Sequence, residues 1–101
     1  MRLYELAKVI RSKNAGPFTL TIDILFEKES DFDRLLQSES FRPERIAALY
    51  SCSPDKIAIR PFRRVLAVKV VMPRPVSSGA PGDLDVYGSQ QHFPLAGMQI
   101  A

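Results

Sequence analysis

The sequence predicts an α+β fold. Two helices cover one face of a mostly antiparallel sheet in a two-layer sandwich, and an irregular Pro/Gly-rich C-terminal tail packs on the body. Three observations carry this expectation. Residues 18–26, FTLTIDILF, place Phe18, Leu20, Ile22, Ile24 and Phe26 at period two, the pattern of a strand with one face on a core. Two short amphipathic stretches of helical spacing follow between residues 30 and 50. Two further apolar runs, 57–62 and 65–72, then read as strands, giving the order strand, strand, helix, helix, strand, strand.

Leu3–Ile10 fits either a helix face, through Leu3, Leu6, Ala7 and Ile10, or a strand, through Tyr4, Val9 and Ile10. It is assigned here to a strand. Arg11–Gly16 is then the connecting loop, and Gly16-Pro17 breaks the chain before the strand at 18–26. Ser30–Ser38 is a helix with Ser30 as N-cap. Asp31 and Asp33 suit the positive end of its dipole, and Phe32, Leu35 and Leu36 form its apolar face. Pro43–Tyr50 is a second helix with Pro43 at its first position, and Ile46, Leu49 and Tyr50 form its buried stripe. Ser53-Pro54-Asp55 is a turn. Of the last two strands, Ile57–Phe62 belongs at a sheet edge because Pro61 cannot donate to a ladder. Val65–Met72 is apolar on both faces apart from Lys69, which places it centrally.

The composition changes at Pro73. Residues 73–101 hold four of the eight prolines and four of the five glycines, with only Arg74, Asp83 and Asp85 charged. The expected organisation is one domain over 1–101, with a body at 1–72 and a docked irregular tail at 73–101. The tail also holds Val76, Leu84, Val86, Tyr87, Phe93 and Leu95, too apolar for a solvated extension.

The net charge of +3 comes from dispersed residues, with only Arg60, Arg63 and Arg64 clustered, at a hairpin where they are expected to be solvated or, alternatively, to form a partner rim or an anion site. The polar face of 18–26 shows Thr19, Thr21 and Asp23 and no stacking aromatic, so nucleic acid is not an expected partner. No run approaches the ~20 apolar residues a membrane helix needs, so no membrane role is expected. A single cysteine, Cys52, admits no internal disulfide, and a reducing, cytoplasmic location is expected. Cys52 stands at a helix C-terminus, which disfavours a thiolate, and is read as inert. One histidine and one cysteine build no zinc site, so no metal is expected, and no cofactor motif is present.

Three places could carry chemistry. In the Arg11–Gly16 loop, Arg11, Ser12, Lys13 and Asn14 could hold a carboxylate or phosphate, or form a solvated basic turn. In the tail, Asp83, Asp85, Tyr87, Gln90 and Gln91 are polar residues among docking apolar ones, or simply make turns. His92, the one histidine, suits general acid–base work with Asp83 or Asp85 to orient it, or is a satisfied surface group.

The block Arg11-Ser12-Lys13-Asn14-Ala15-Gly16-Pro17 and the block from Gly82-Asp83 through Val86-Tyr87-Gly88 to Gln90-Gln91-His92 resemble an uncharacterised family, the domain of unknown function 4387. The resemblance runs from Leu3 to Ile100. It implies a bacterial protein with a ferredoxin-like variant of the α+β fold, associated with larger proteins similar to the acyclic terpene utilisation A protein, which belong to carboxylic-acid or acyl-CoA catabolism. It raises the weight on the loop and tail acting together, with Arg11, Lys13 and Arg74 facing Asp83, Tyr87, Gln91 and His92 across a small polar site for an anionic small molecule. The expected function is therefore a small accessory subunit of such an enzyme, with that larger protein as partner. The alternative is a stand-alone homo-oligomeric enzyme of lyase, isomerase or hydratase type with His92 as general base.

Overall fold

A computed structural model of the chain describes residues 1–16, 18–73 and 93–100. The elements are α1 (Leu3–Leu6), β1 (Val9–Asn14), β2 (Thr19–Leu25), α2 (Glu29–Gln37), α3 (Pro43–Tyr50), β3 (Ala58–Phe62), β4 (Ala67–Pro73) and α4 (Phe93–Ala96), with 3-10 turns at Pro54–Lys56 and Arg63–Val65. The four strands form one antiparallel sheet in the order β1-β2-β4-β3. The expected α+β class is the one observed. Its connectivity is two local hairpins flanking a helix pair, rather than the βαββαβ order of the ferredoxin-like motif.

One face of the sheet is the core face. Leu20, Ile22 and Ile24 of β2 stand opposite Met72, Val70 and Val68 of β4, and all six are sealed from solvent. Phe32 and Leu35 of α2 and Ile46, Ala47 and Tyr50 of α3 join them in a single cluster, with Leu3, Leu6, Leu95, Met98 and Ile100. Burying each of the larger aliphatic side chains contributes roughly 1.5–3 kcal/mol. Phe26 meets Phe32 edge to face, centroids 6.2 Å apart. As the sequence predicts, β4 is internal and β3, with Pro61, is an edge strand.

Several boundaries differ from expectation, each for a local reason. Leu3–Leu6 is a helical turn rather than part of a strand. Leu3 and Leu6 share one buried face, and the Arg2 backbone N–H donates to Glu5 Oε1 at 2.8 Å. The first strand therefore starts only at Val9 and runs on through Arg11–Asn14, which the sequence reading had placed in a loop. The turn itself lies between Asn14 and Thr19, closed by the Ala15 N–H donating to Thr19 O at 2.9 Å. Gly16 sits there at φ 101°, a conformation L side chains rarely adopt. Phe18 belongs to that turn and is 66% exposed, so the buried stripe is Leu20, Ile22, Ile24 and Phe26.

Helix α2 begins at Glu29 with Lys28 as N-cap, so Ser30 lies inside the first turn. Glu29 and Asp31 serve the positive dipole end instead of a capping hydroxyl. In α3, Pro43 opens the helix as predicted, but Leu49 is 43% exposed and Ala47 takes its place in the buried stripe. Val65 falls in a 3-10 turn and Leu66 takes a left-handed conformation at φ 51°, so β4 starts at Ala67.

The two ends of the chain meet. The Leu3 N–H donates to Met98 O at 2.9 Å and the Ile100 N–H to Met1 O at 2.7 Å. The Leu95 N–H donates to the Tyr50 hydroxyl at 3.2 Å in the buried layer. Burial pushes the Tyr50 phenol up to about 12, with the Leu95 hydrogen bond pulling the other way. Residues 93–100 thus pack on the body. No helix among the described residues is long and apolar enough to cross a membrane.

Candidate functional site: the open face of the sheet

No described helix joins the second face of the sheet, and its side chains follow from strand alternation and register. Strand neighbours that pair across a sheet point to the same side. Arg11 pairs with Asp23, Asp23 with Lys69, and Lys69 with Arg60, so one row crosses all four strands. The row on one side is Lys13, Thr21, Val71 and Ala58, and on the other Val9, Leu25, Ala67 and Phe62. In these three rows four cations, Arg11, Lys13, Lys69 and Arg60, stand around a single carboxylate, Asp23.

That carboxylate is shared unevenly. Arg11 Nε lies 3.8 Å from Asp23 Oδ2, a long pair with the arginine well exposed and the aspartate largely covered. Exposed pairs of this kind contribute ~0–1 kcal/mol. Lys13, Lys69 and Arg60 form no ion pair with a described residue. Arg60 and Lys69 directly oppose each other across the ladder, an arrangement that costs roughly 0.2–1 kcal/mol. The neighbouring row is apolar, and Val9 and Phe62 at its two ends are both more than 40% exposed. Among the described residues the face therefore combines three cations without an ion pair, Lys13, Lys69 and Arg60, with exposed hydrocarbon at Val9 and Phe62. Cations beside hydrocarbon are the chemistry that carboxylates, phosphates and apolar partner surfaces use in general.

The expected site residues divide. Arg11 and Lys13 share the open face, as alternate residues of β1. Ser12 and Asn14 sit on the opposite face, across from Ile22 and Leu20, and Ser12 is buried. Period-two alternation thus separates the four side chains that were expected to converge on one anion. Arg74, Asp83, Asp85, Tyr87, Gln90, Gln91 and His92 lie outside the described residues. Lys69 and Arg60 were not linked to Arg11 by sequence reasoning. The signal was present in part: Lys69 is the lone charge in an apolar strand, flanked by Val68 and Val70.

The other polar clusters are structural. Arg63, expected to be solvated, lies 5.0 Å over the Phe32 ring centroid and pairs with Asp33 at 2.7 Å and Glu29 at 3.3 Å. It clamps the β3–β4 hairpin to α2. Cys52 is half-buried, and burial pushes its thiol up, away from the nucleophilic thiolate. Among the described residues no three His, Cys, Asp or Glu side chains group as metal ligands would.

Comparison with known proteins gives a family and no function. No curated protein sequence and no solved structure matches the chain. The family model described as domain of unknown function 4387 matches residues 3–99, nearly the whole length. The chain is a member of the domain of unknown function 4387 family.

Proposed function

We propose that this domain is a small accessory subunit that docks a larger protein through the open face of its sheet, and that its cations add an anion-binding surface to the assembly. The observation that carries the reading is the opposed pair Arg60 and Lys69, beside Arg11 and Lys13 and next to an exposed apolar row. Like charges held directly opposite each other cost stability, and an acidic partner repays that cost. The family resemblance implies a partner similar to the acyclic terpene utilisation A protein, from carboxylic-acid or acyl-CoA catabolism. A cationic face next to such an enzyme suits a substrate carboxylate or a phosphate-bearing thioester.

The test is affinity purification of the tagged chain from its own cells, beside the double variant Arg60→Glu, Lys69→Glu. The expected result is one stoichiometric larger protein with the native chain, weakened by salt and lost with the variant, while circular dichroism shows both chains folded at the working temperature. Recovery of the native chain alone, or equal recovery of the partner by the variant, overturns the reading.

A further inference from the structure

We propose a second site on the helical layer: a groove that takes a small carboxylic acid, headgroup between Arg2 and Arg45 and hydrocarbon on an apolar floor. The groove runs between α3 and the C-terminal segment and has a volume of about 370 Å³. That is within the range of small-molecule sites, near its lower end. Its floor is Ala48, Leu49, Pro94 and Met98, and the two arginines stand at its wall.

Three features select the ligand. First, no carboxylate lines the groove among the described residues, so none of these neutralises its two positive charges from within. Second, the arginines are differently prepared. Arg2 is anchored, its Nη1 donating to Gly97 O at 2.6 Å, and a guanidinium carries five N–H donors, so most remain for a ligand. Arg45 makes no hydrogen bond or ion pair with a described residue and projects from α3 at an exposed position. Third, the floor holds an exposed Leu49 on a helix whose other large apolar side chains are buried. Two guanidinium forks beside hydrocarbon match a planar carboxylate with an alkyl tail better than a compact inorganic anion, which gains nothing from the floor. This site shares no residue with the open sheet face and stands independently of the docking role.

The experiment is an NMR titration of the isotope-labelled full chain with hexanoate, with hexanol and inorganic phosphate as separate arms. Hexanoate is expected to shift the amides of Arg2, Arg45, Ala48 and Leu49 saturably, and neither control to saturate. Arg45→Glu, at an exposed position that tolerates the change, is expected to weaken hexanoate about tenfold or more. Arg60→Glu is expected to leave it unchanged, so failure of the docking reading does not touch this one. The proposal is overturned if hexanoate does not saturate, if phosphate saturates equally well, or if Arg45→Glu binds hexanoate as the native chain does.

Discussion

Arg60 and Lys69 face each other across the β3–β4 ladder, two cations in direct register, and neither forms an ion pair with a described residue, although Asp23 lies in register on the other side of Lys69. The sheet carries this repulsion on the face that also presents Arg11 and Lys13. Under the proposed docking role, stability and recognition are opposed at that position. Arg60→Glu should convert a like-charge pair into an opposite-charge one and raise stability by a few tenths of a kcal/mol, up to ~1. Urea unfolding of the variant checks the sign. An unchanged or lowered midpoint would mean that the pair does not strain the sheet.

Tyr50 gives a pH dependence with a definite sign. Its phenol is pushed from 10.0 up to about 12 in the folded chain. The native state thus holds this proton more tightly than the unfolded state. The associated stability is complete below pH 10 and is lost as pH rises from 10 through about 12. Tyr50→Phe removes the titration but also the acceptor for the Leu95 N–H, costing about 1–3 kcal/mol at neutral pH. The stability gap between native chain and variant should narrow across that alkaline interval, as denaturant unfolding at stepped pH would show.

Gly16→Ala isolates a backbone effect. Nothing lies within 4 Å of a Cβ built at Gly16, so no clash contributes. The φ of 101° alone should cost about 1–3 kcal/mol, visible as a lowered unfolding midpoint with unchanged denaturant slope.

Ile100 distinguishes a docked end from a frayed one. It is sealed in the core cluster and its N–H donates to Met1 O. Ile100→Ala should cost about 2–5 kcal/mol, as at an interior position, rather than the few tenths of a loose terminus. Thermal melting decides between them.

Arg63→Ala should lower the melting temperature through lost cover over Phe32 and lost pairs with Asp33 and Glu29. Arg63→Lys keeps the charge but not the planar fork and should recover only part of the loss. Full recovery by lysine would reduce the clamp to simple charge attraction.

The parts of the fold legible in the sequence are those whose cause is local. The Leu20, Ile22, Ile24 stripe follows from one-sided burial of a pleated strand. Pro43 at a helix start and Pro61 at a sheet edge follow from a missing N–H. The misread parts answer to distant partners. Leu3–Leu6 coils where Leu3 is tied to Met98 and the preceding Met1 to Ile100, far along the chain. Arg11–Asn14 extend because β2 pairs with them in register, and extension then sends Ser12 inward and Arg11 outward. Half of the cationic face was visible as Arg11 and Lys13. The other half needed the β2–β4 and β4–β3 registers, which no single segment encodes.

The hydrogen bond between Ile100 and Met1 closes the described backbone nearly into a ring. A chain whose ends abut can be entered and left at one spot. Such a fold suits insertion into a loop of a larger polypeptide without prising its host apart, and it tolerates relocation of its ends. A circular permutant that joins residue 101 to residue 1 through a short glycine linker and opens the β1–β2 turn at Ala15-Gly16 should fold to the same sheet. It should also unfold more slowly at the old seam, where two docked but separate ends have become one continuous covalent backbone.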